Sequence, residues 1–197
     1  MTTLFMRLLL SGAFAATFLA HAAQADSVRV VDAAGRIVEI ERPVERVILG
    51  EGRQLYLLAA LDREDPFARV VGWRTDLMEA DPETWKAYRE KFPRAESIPA
   101  FSGLEQSLID IESAIAQKPQ LVFLNLETQQ ASEEARYVQT LGALGIAVVY
   151  VDFRHDPDRN TETTIRNMGT LLGREDRAEA LIAFRAEAIA RVTDRLA

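Results

Sequence analysis

The sequence has 197 residues, 30 of them acidic and 23 basic, for a formal net charge of −7, and it contains no cysteine. The acid excess argues against a nucleic-acid-binding surface and a general basic membrane-binding face. The lack of cysteine leaves neither a disulfide framework nor a lipoprotein-type anchor to expect, so the fold must be held by its core.

Arg7 is the only charged residue before Asp26, and Leu8 to Ala20 is an apolar run too short to span a bilayer comfortably. Ala23-Gln24-Ala25 supplies the small-x-small pattern of a signal-peptidase site, which predicts a signal peptide over 1–25, cleavage after Ala25 and export to the periplasm. Val28–Val31 and Ile37–Ile40 flank Asp32-Ala33-Ala34-Gly35, the pattern of a hairpin. Pro43 ends it, and Val47-Ile48-Leu49 reads as the first buried strand. Leu55, Leu58 and Ala59 then trace a helical face. Val70-Val71 opens a second strand that ends in Gly72-Trp73-Arg74. Asp81-Pro82, an N-cap residue followed by proline at the first helical position, starts a helix expected to run to about Phe92.

The central stretch is Ile111 to Thr128. Leu108, Ile111 and Ile115 recur at helical steps, and Pro119 forces an exit because the residue before it is pushed out of the α region. Leu121-Val122-Phe123-Leu124 has no polar alternation, as suits a parallel strand covered on both faces. Asn125, Leu126, Glu127 and Thr128 follow at its carboxyl end, where open α/β sheets place ligands. Ser132 is expected to cap the next helix, with Val138, Leu141 and Leu144 facing inward and Gly145 at its exit. Val148–Val151 is the fourth buried strand. Asn160–Leu172 and Arg174–Leu196 read as helices broken at Gly173. In the second, Ala178, Leu181, Ile182, Arg185, Ile189, Val192 and Leu196 share a stripe, and the helix from Glu175 to Leu196 would span roughly 33 Å. Four strand–helix alternations predict an α/β fold, a parallel sheet flanked by helices, with an N-terminal hairpin and a long C-terminal helix.

The segments VVDAAGRIVEIERPVERVI at 30–48, RVVGW at 69–73, IESAIAQKPQLVFLN at 111–125 and LGALGIAVVYVD at 141–152 resemble the substrate-binding proteins of iron-siderophore, haem and cobalamin ABC importers. LLGREDRAEALIAFRAEAIARV at 171–192 is similar to the start of that family's long inter-lobe helix. The resemblance implies two α/β lobes joined by one rigid helix, with ligand held between them. On that reading residues 26–165 form the first lobe, 166–197 the inter-lobe helix, and the second lobe is absent. The implied partners are an inner-membrane permease with its ATPase and a small iron complex, a ferric siderophore foremost, with haem and cobalamin as the other cargoes. A monomer without intrinsic cofactor or metal is expected. Glu133 and Glu134 match the place of the family's surface glutamate that docks onto the permease; an acidic first helical turn is the plainer account of them.

Three of the four strand ends carry arginine: Arg53, Arg74 and Arg154. A guanidinium presents a planar fork of donors suited to oxyanions. The arginines are expected to grip an anionic ligand, with Trp73 and Phe153 as flat apolar contacts and Glu127 and Thr128 on the same rim. The competing account is arginines paired with Glu51, Asp76 or Asp156. Tyr56 is expected in the core and His155 on the surface. An enzyme is disfavoured: after Ala25 there is one histidine, and G-x-S-x-G, Walker, G-x-G-x-x-G and H-E-x-x-H patterns are lacking. A stand-alone periplasmic interaction module that does not serve transport is the other reading.

Overall fold

Two apolar strands set the centre of the fold. β3 (Val47–Leu49) and β6 (Leu121–Asn125) are buried at every residue and pair in parallel, Val47 with Leu121 and Leu49 with Phe123. The computed structural model describes residues 26–102 and 108–196, so the expected signal peptide and its cleavage after Ala25 lie outside the described residues. β4 (Val70–Arg74) pairs with the free side of β3, and β7 (Ala147–Val151) with that of β6. A two-residue strand the sequence did not announce, β5 (Ala100–Phe101), lies outside β4. The order is β5-β4-β3-β6-β7 and every pairing is parallel.

Alternation along β6 sends Leu121 and Phe123 into one hydrophobic cluster and Val122 and Leu124 into the other. The first is closed by α1 (Leu55–Leu61), α2 (Asp76–Ala80), α7 (Pro157–Leu172) and the root of α8 (Glu175–Leu196). The second is closed by α4 (Ile111–Ala116) and α6 (Tyr137–Ala143). α3 (Pro82–Lys91) starts as its sequence predicts: Asp81 accepts from the Thr84 amide at 3.1 Å and Pro82 takes the first position.

The hairpin, β1 (Asp26–Val31) and β2 (Ile37–Arg42), lays its turn against the outer edge of β7. Ala33 donates its amide to the Tyr150 carbonyl at 3.0 Å, and the Tyr150 amide donates to Asp32 Oδ2 at 3.2 Å. Arg36 donates to the Val148 carbonyl at 2.6 Å and sits 4.5 Å from the Tyr150 ring centre. A strand edge that would otherwise invite pairing is covered.

Three local expectations need correction. The helix after β6 is two helices, α5 (Gln129–Glu134) and α6, parted at Arg136 with φ 53. That left-handed residue resets the helical phase. Ser132 is therefore buried inside α5 instead of capping it, and Tyr137 and Leu141 face the sheet while Leu144 is exposed. α7 begins at Pro157, ahead of Asn160, because Asp156 caps it through the Arg159 amide at 3.2 Å. The α8 stripe is split: Ala178 and Ile182 are buried, whereas Ile189, Val192 and Leu196 are exposed.

Glycines in two helices separate packing from propensity. A Cβ on Gly169 of α7 would stand 2.4 Å from the Ala178 Cβ of α8, whereas one on Gly142 of α6 meets nothing within 4 Å. Gly169→Ala should therefore lower stability by about 1–3 kcal/mol through overpacking. Gly142→Ala should raise it by about 0.5–1 kcal/mol. Urea denaturation of both variants checks the pair, and a Gly169→Ala protein as stable as the parent would show that α7 and α8 are not tightly apposed.

Candidate functional site

β3 lies between β4 and β6, so the chain leaves the first strand of the sheet in one direction and returns on its other side. The loops after β3 and β6 part at their carboxyl ends and open a crevice, the position where open α/β sheets hold ligands. Its volume is about 270 Å³, and it is lined from the β3 loop and α1, from the end of β6 and from the loop after β7.

The β3 loop is fitted closely to its neighbours. Gly50 donates to the Phe123 carbonyl at 2.8 Å, and a Cβ there would lie 2.4 Å from that oxygen. A Cβ on Gly52 would lie 2.3 Å from the Arg74 carbonyl. Between these two contacts Glu51 turns inward, its side chain 7% exposed. Its Oε1 accepts from Arg53 Nε at 2.7 Å and Arg154 Nη2 at 2.5 Å, and its Oε2 accepts from Asn125 Nδ2. Asn125 Oδ1 in turn accepts from Gln54 Nε2 at 2.8 Å. Arg53 also reaches Asp76 at 3.3 Å and Arg154 reaches Glu127 at 3.2 Å. One buried carboxylate thus gathers groups from three strand ends.

Of the predicted site residues, Arg53, Arg154, Phe153 and Glu127 meet at this crevice. Trp73 does not: it is fully buried, 5.6 Å from Phe67 and 5.2 Å from Trp85 ring to ring, because α3 and the Phe67 segment cover that face of β4. Arg74 is 1% exposed and engaged within the lobe, so it is no rim donor. Thr128 is buried too, and its hydroxyl donates to the Asn125 carbonyl at 2.8 Å, shaping the turn after β6. The pairings with Glu51 and Asp76 are present, whereas Asp156 caps α7 and lies 3.8 Å from Arg159.

Tyr56, expected in the core, is exposed and lines the crevice. Its hydroxyl donates to Asp81 at 2.7 Å, and partial burial together with that carboxylate pushes its pKa up to about 12. His155 is largely exposed, with Nδ1 3.6 Å from Asp152, and no cluster of three metal-ligating side chains occurs among the described residues. Glu133 and Glu134 are exposed in the last turn of α5, not its first, and accept from Gln129 at 2.8 Å and Gln130 at 3.0 Å. The helix-dipole account of them therefore fails. Gln54 was not anticipated, and Glu51 and Asn125, expected as an arginine partner and a strand-end residue, were not expected to form the centre of the site; the one available signal was an acidic residue held between two glycines directly after a buried strand.

Asp152 shapes the loop that carries Phe153 and Arg154. It accepts from the amides of Arg154, His155 and Asp156 at 2.9, 3.0 and 3.2 Å and from Asn160 Nδ2 at 2.6 Å. Burial alone would raise its pKa, but these donors outweigh it and hold the carboxyl at about 2. A depressed carboxyl stabilises the fold above its unfolded pKa, and that contribution is lost as pH falls through the folded value. Stability should therefore drop by about 2 kcal/mol from this group between pH 4 and 2. Asp152→Asn should flatten that part of the acid-denaturation profile, and an unchanged slope would remove Asp152 as its source.

No family model and no curated protein matches the sequence. Solved structures do. The TroA-like periplasmic binding protein FepB from Veillonella parvula aligns with a TM-score of 0.77 at 24% identity, over 85% of this chain and 49% of its own. The siderophore-binding protein BauB, bound to two molecules of acinetobactin and ferric iron, aligns at 0.61 and 16% identity, over 85% and 53%. MolA of Haemophilus influenzae, bound to molybdate, aligns at 0.60 and 18% identity, over 79% and 49%. The chain spans about half the length of these proteins. It therefore shares the α/β fold of about half of a TroA-like periplasmic binding protein.

Proposed function

We propose that this chain is the solute-binding component of an ABC importer, working in the periplasm, with an iron(III) complex as cargo and a ferric siderophore foremost. The observation that carries the reading is the crevice at the parting of the β3 and β6 loops, in a fold shared with proteins whose names state siderophore, haem or molybdate cargo. Its chemistry is that of binding. Arg53 and Arg154, each about a third exposed, offer guanidinium edges to ligand oxygens. Phe153 and Tyr56 offer ring faces, Glu127 orients Arg154, and Thr128 holds the turn beneath. In this reading the chain acts as a monomer, and the lobe is one wall of a two-lobed cleft with α8 as its connector. Haem and cobalamin remain as the alternative cargoes.

Delivery requires a contact with the inner-membrane permease and its ATPase, for which Glu133 and Glu134 stand exposed on α5. Arg154→Ala should weaken binding of a ferric siderophore roughly tenfold, the cost of one charged hydrogen bond, as read by equilibrium dialysis. Unchanged affinity would remove the crevice as the binding site. Reversing both Glu133 and Glu134 to arginine should spare binding yet abolish uptake of radioactive iron by cells, and uptake at the parental rate would reject the docking role.

A further inference from the structure

We propose that the crevice selects uncharged iron complexes over anionic ones, with Glu51 and Glu127 setting the preference, a refinement that rests on the iron-complex reading above. The sequence leads one to expect a basic rim, yet every arginine there is met by acid. Arg53 is shared between Glu51 at 2.7 Å and Asp76 at 3.3 Å, and Arg154 between Glu51 at 2.5 Å and Glu127 at 3.2 Å. Asp152, ionised above about pH 2, adds a further negative charge on the lining. Even with buried Arg74 counted, Glu51, Asp76, Glu127 and Asp152 outnumber Arg53, Arg74 and Arg154. Among the described residues an arriving anion would find no surplus positive charge and several carboxylates within a few ångströms, where repulsion is least screened.

The lining points the same way. Tyr56, Leu57, Val151 and Phe153 make much of the wall apolar, and a full charge placed against it would lose hydration without a matching counter-charge. Gln54 adds an independent constraint. Donation from Asn125 to Glu51 fixes the Asn125 amide, which fixes Gln54 through its Nε2, so the buried Gln54 Oε1 has no hydrogen-bond partner among the described residues. A ligand bearing N–H or O–H groups can supply that acceptor with a donor. An anion made only of acceptors cannot.

The test uses the full chain and two synthetic hexadentate iron(III) complexes, an uncharged tris-hydroxamate and a trianionic tris-catecholate, in equilibrium dialysis. The uncharged complex should bind roughly tenfold more tightly. Glu127→Gln, a change at a partly exposed position, should shrink that ratio severalfold by strengthening anion binding, and Glu51→Gln should act in the same direction. Tighter binding of the catecholate complex by the parent protein, or a ratio indifferent to Glu127→Gln, would overturn the inference and leave the iron-complex reading standing. Failure to bind either complex would defeat that reading, and the inference with it.

Discussion

The structure turns on the way the chain leaves β3. This strand has a partner on each side, so its exit must pass between the ends of β4 and β6. At Gly50 and Gly52 the backbone comes so near the Phe123 and Arg74 carbonyls that a single added carbon would collide with each. Only with both positions bare can the loop lie flat on the sheet and turn Glu51 beneath the crevice. Sheet order, loop chemistry and site are therefore one constraint: the strand order opens the gap, and the glycines deliver a carboxylate to its floor.

That carboxylate explains how an arginine-rich rim can lack basic character. Two guanidiniums sharing one nearly buried anion are held in place and screened by the same contact. Buried ion pairs of this kind are weak contributors to net stability because desolvation offsets attraction, and they matter more for fixing geometry. Here the geometry fixed is the span from the β3 loop to the β7 loop, bridged also by Asn125 and Gln54. The arginines enter a binding event oriented and largely neutralised.

Much of the fold was legible in the sequence because its strongest signals are local. Unbroken apolar runs at 47–49, 121–124 and 148–151 need cover on both faces, and all three are sheet strands. The Asp81-Pro82 start and the Gly173 break, at φ 65, depend on backbone preferences that tertiary contacts did not override. The site was legible by address but not by orientation. Trp73 and Arg74 do end a strand next to β3, yet both are buried, Trp73 beneath α3 and the Phe67 segment, whose approach no local pattern encodes. Tyr56 failed in the opposite sense, because its partner Asp81 lies 25 residues away and draws the ring outward. The division of α5 from α6 rests on one left-handed arginine, a conformation that sequence alone does not announce.

The ion pairs at the start of α8 give that helix a mechanical character. Arg174 is bound to Asp62 at 2.6 Å and Arg177 to Glu64 at 2.6 Å and to the Leu61 carbonyl at 2.6 Å, all around the end of α1. Ala178 and Ile182 seat the same turns in the core, and from Ile189 on the apolar stripe is exposed. The root of the helix is thereby tied to α1, the helix that follows Glu51 and Arg53 and carries Tyr56 and Leu57 into the crevice wall.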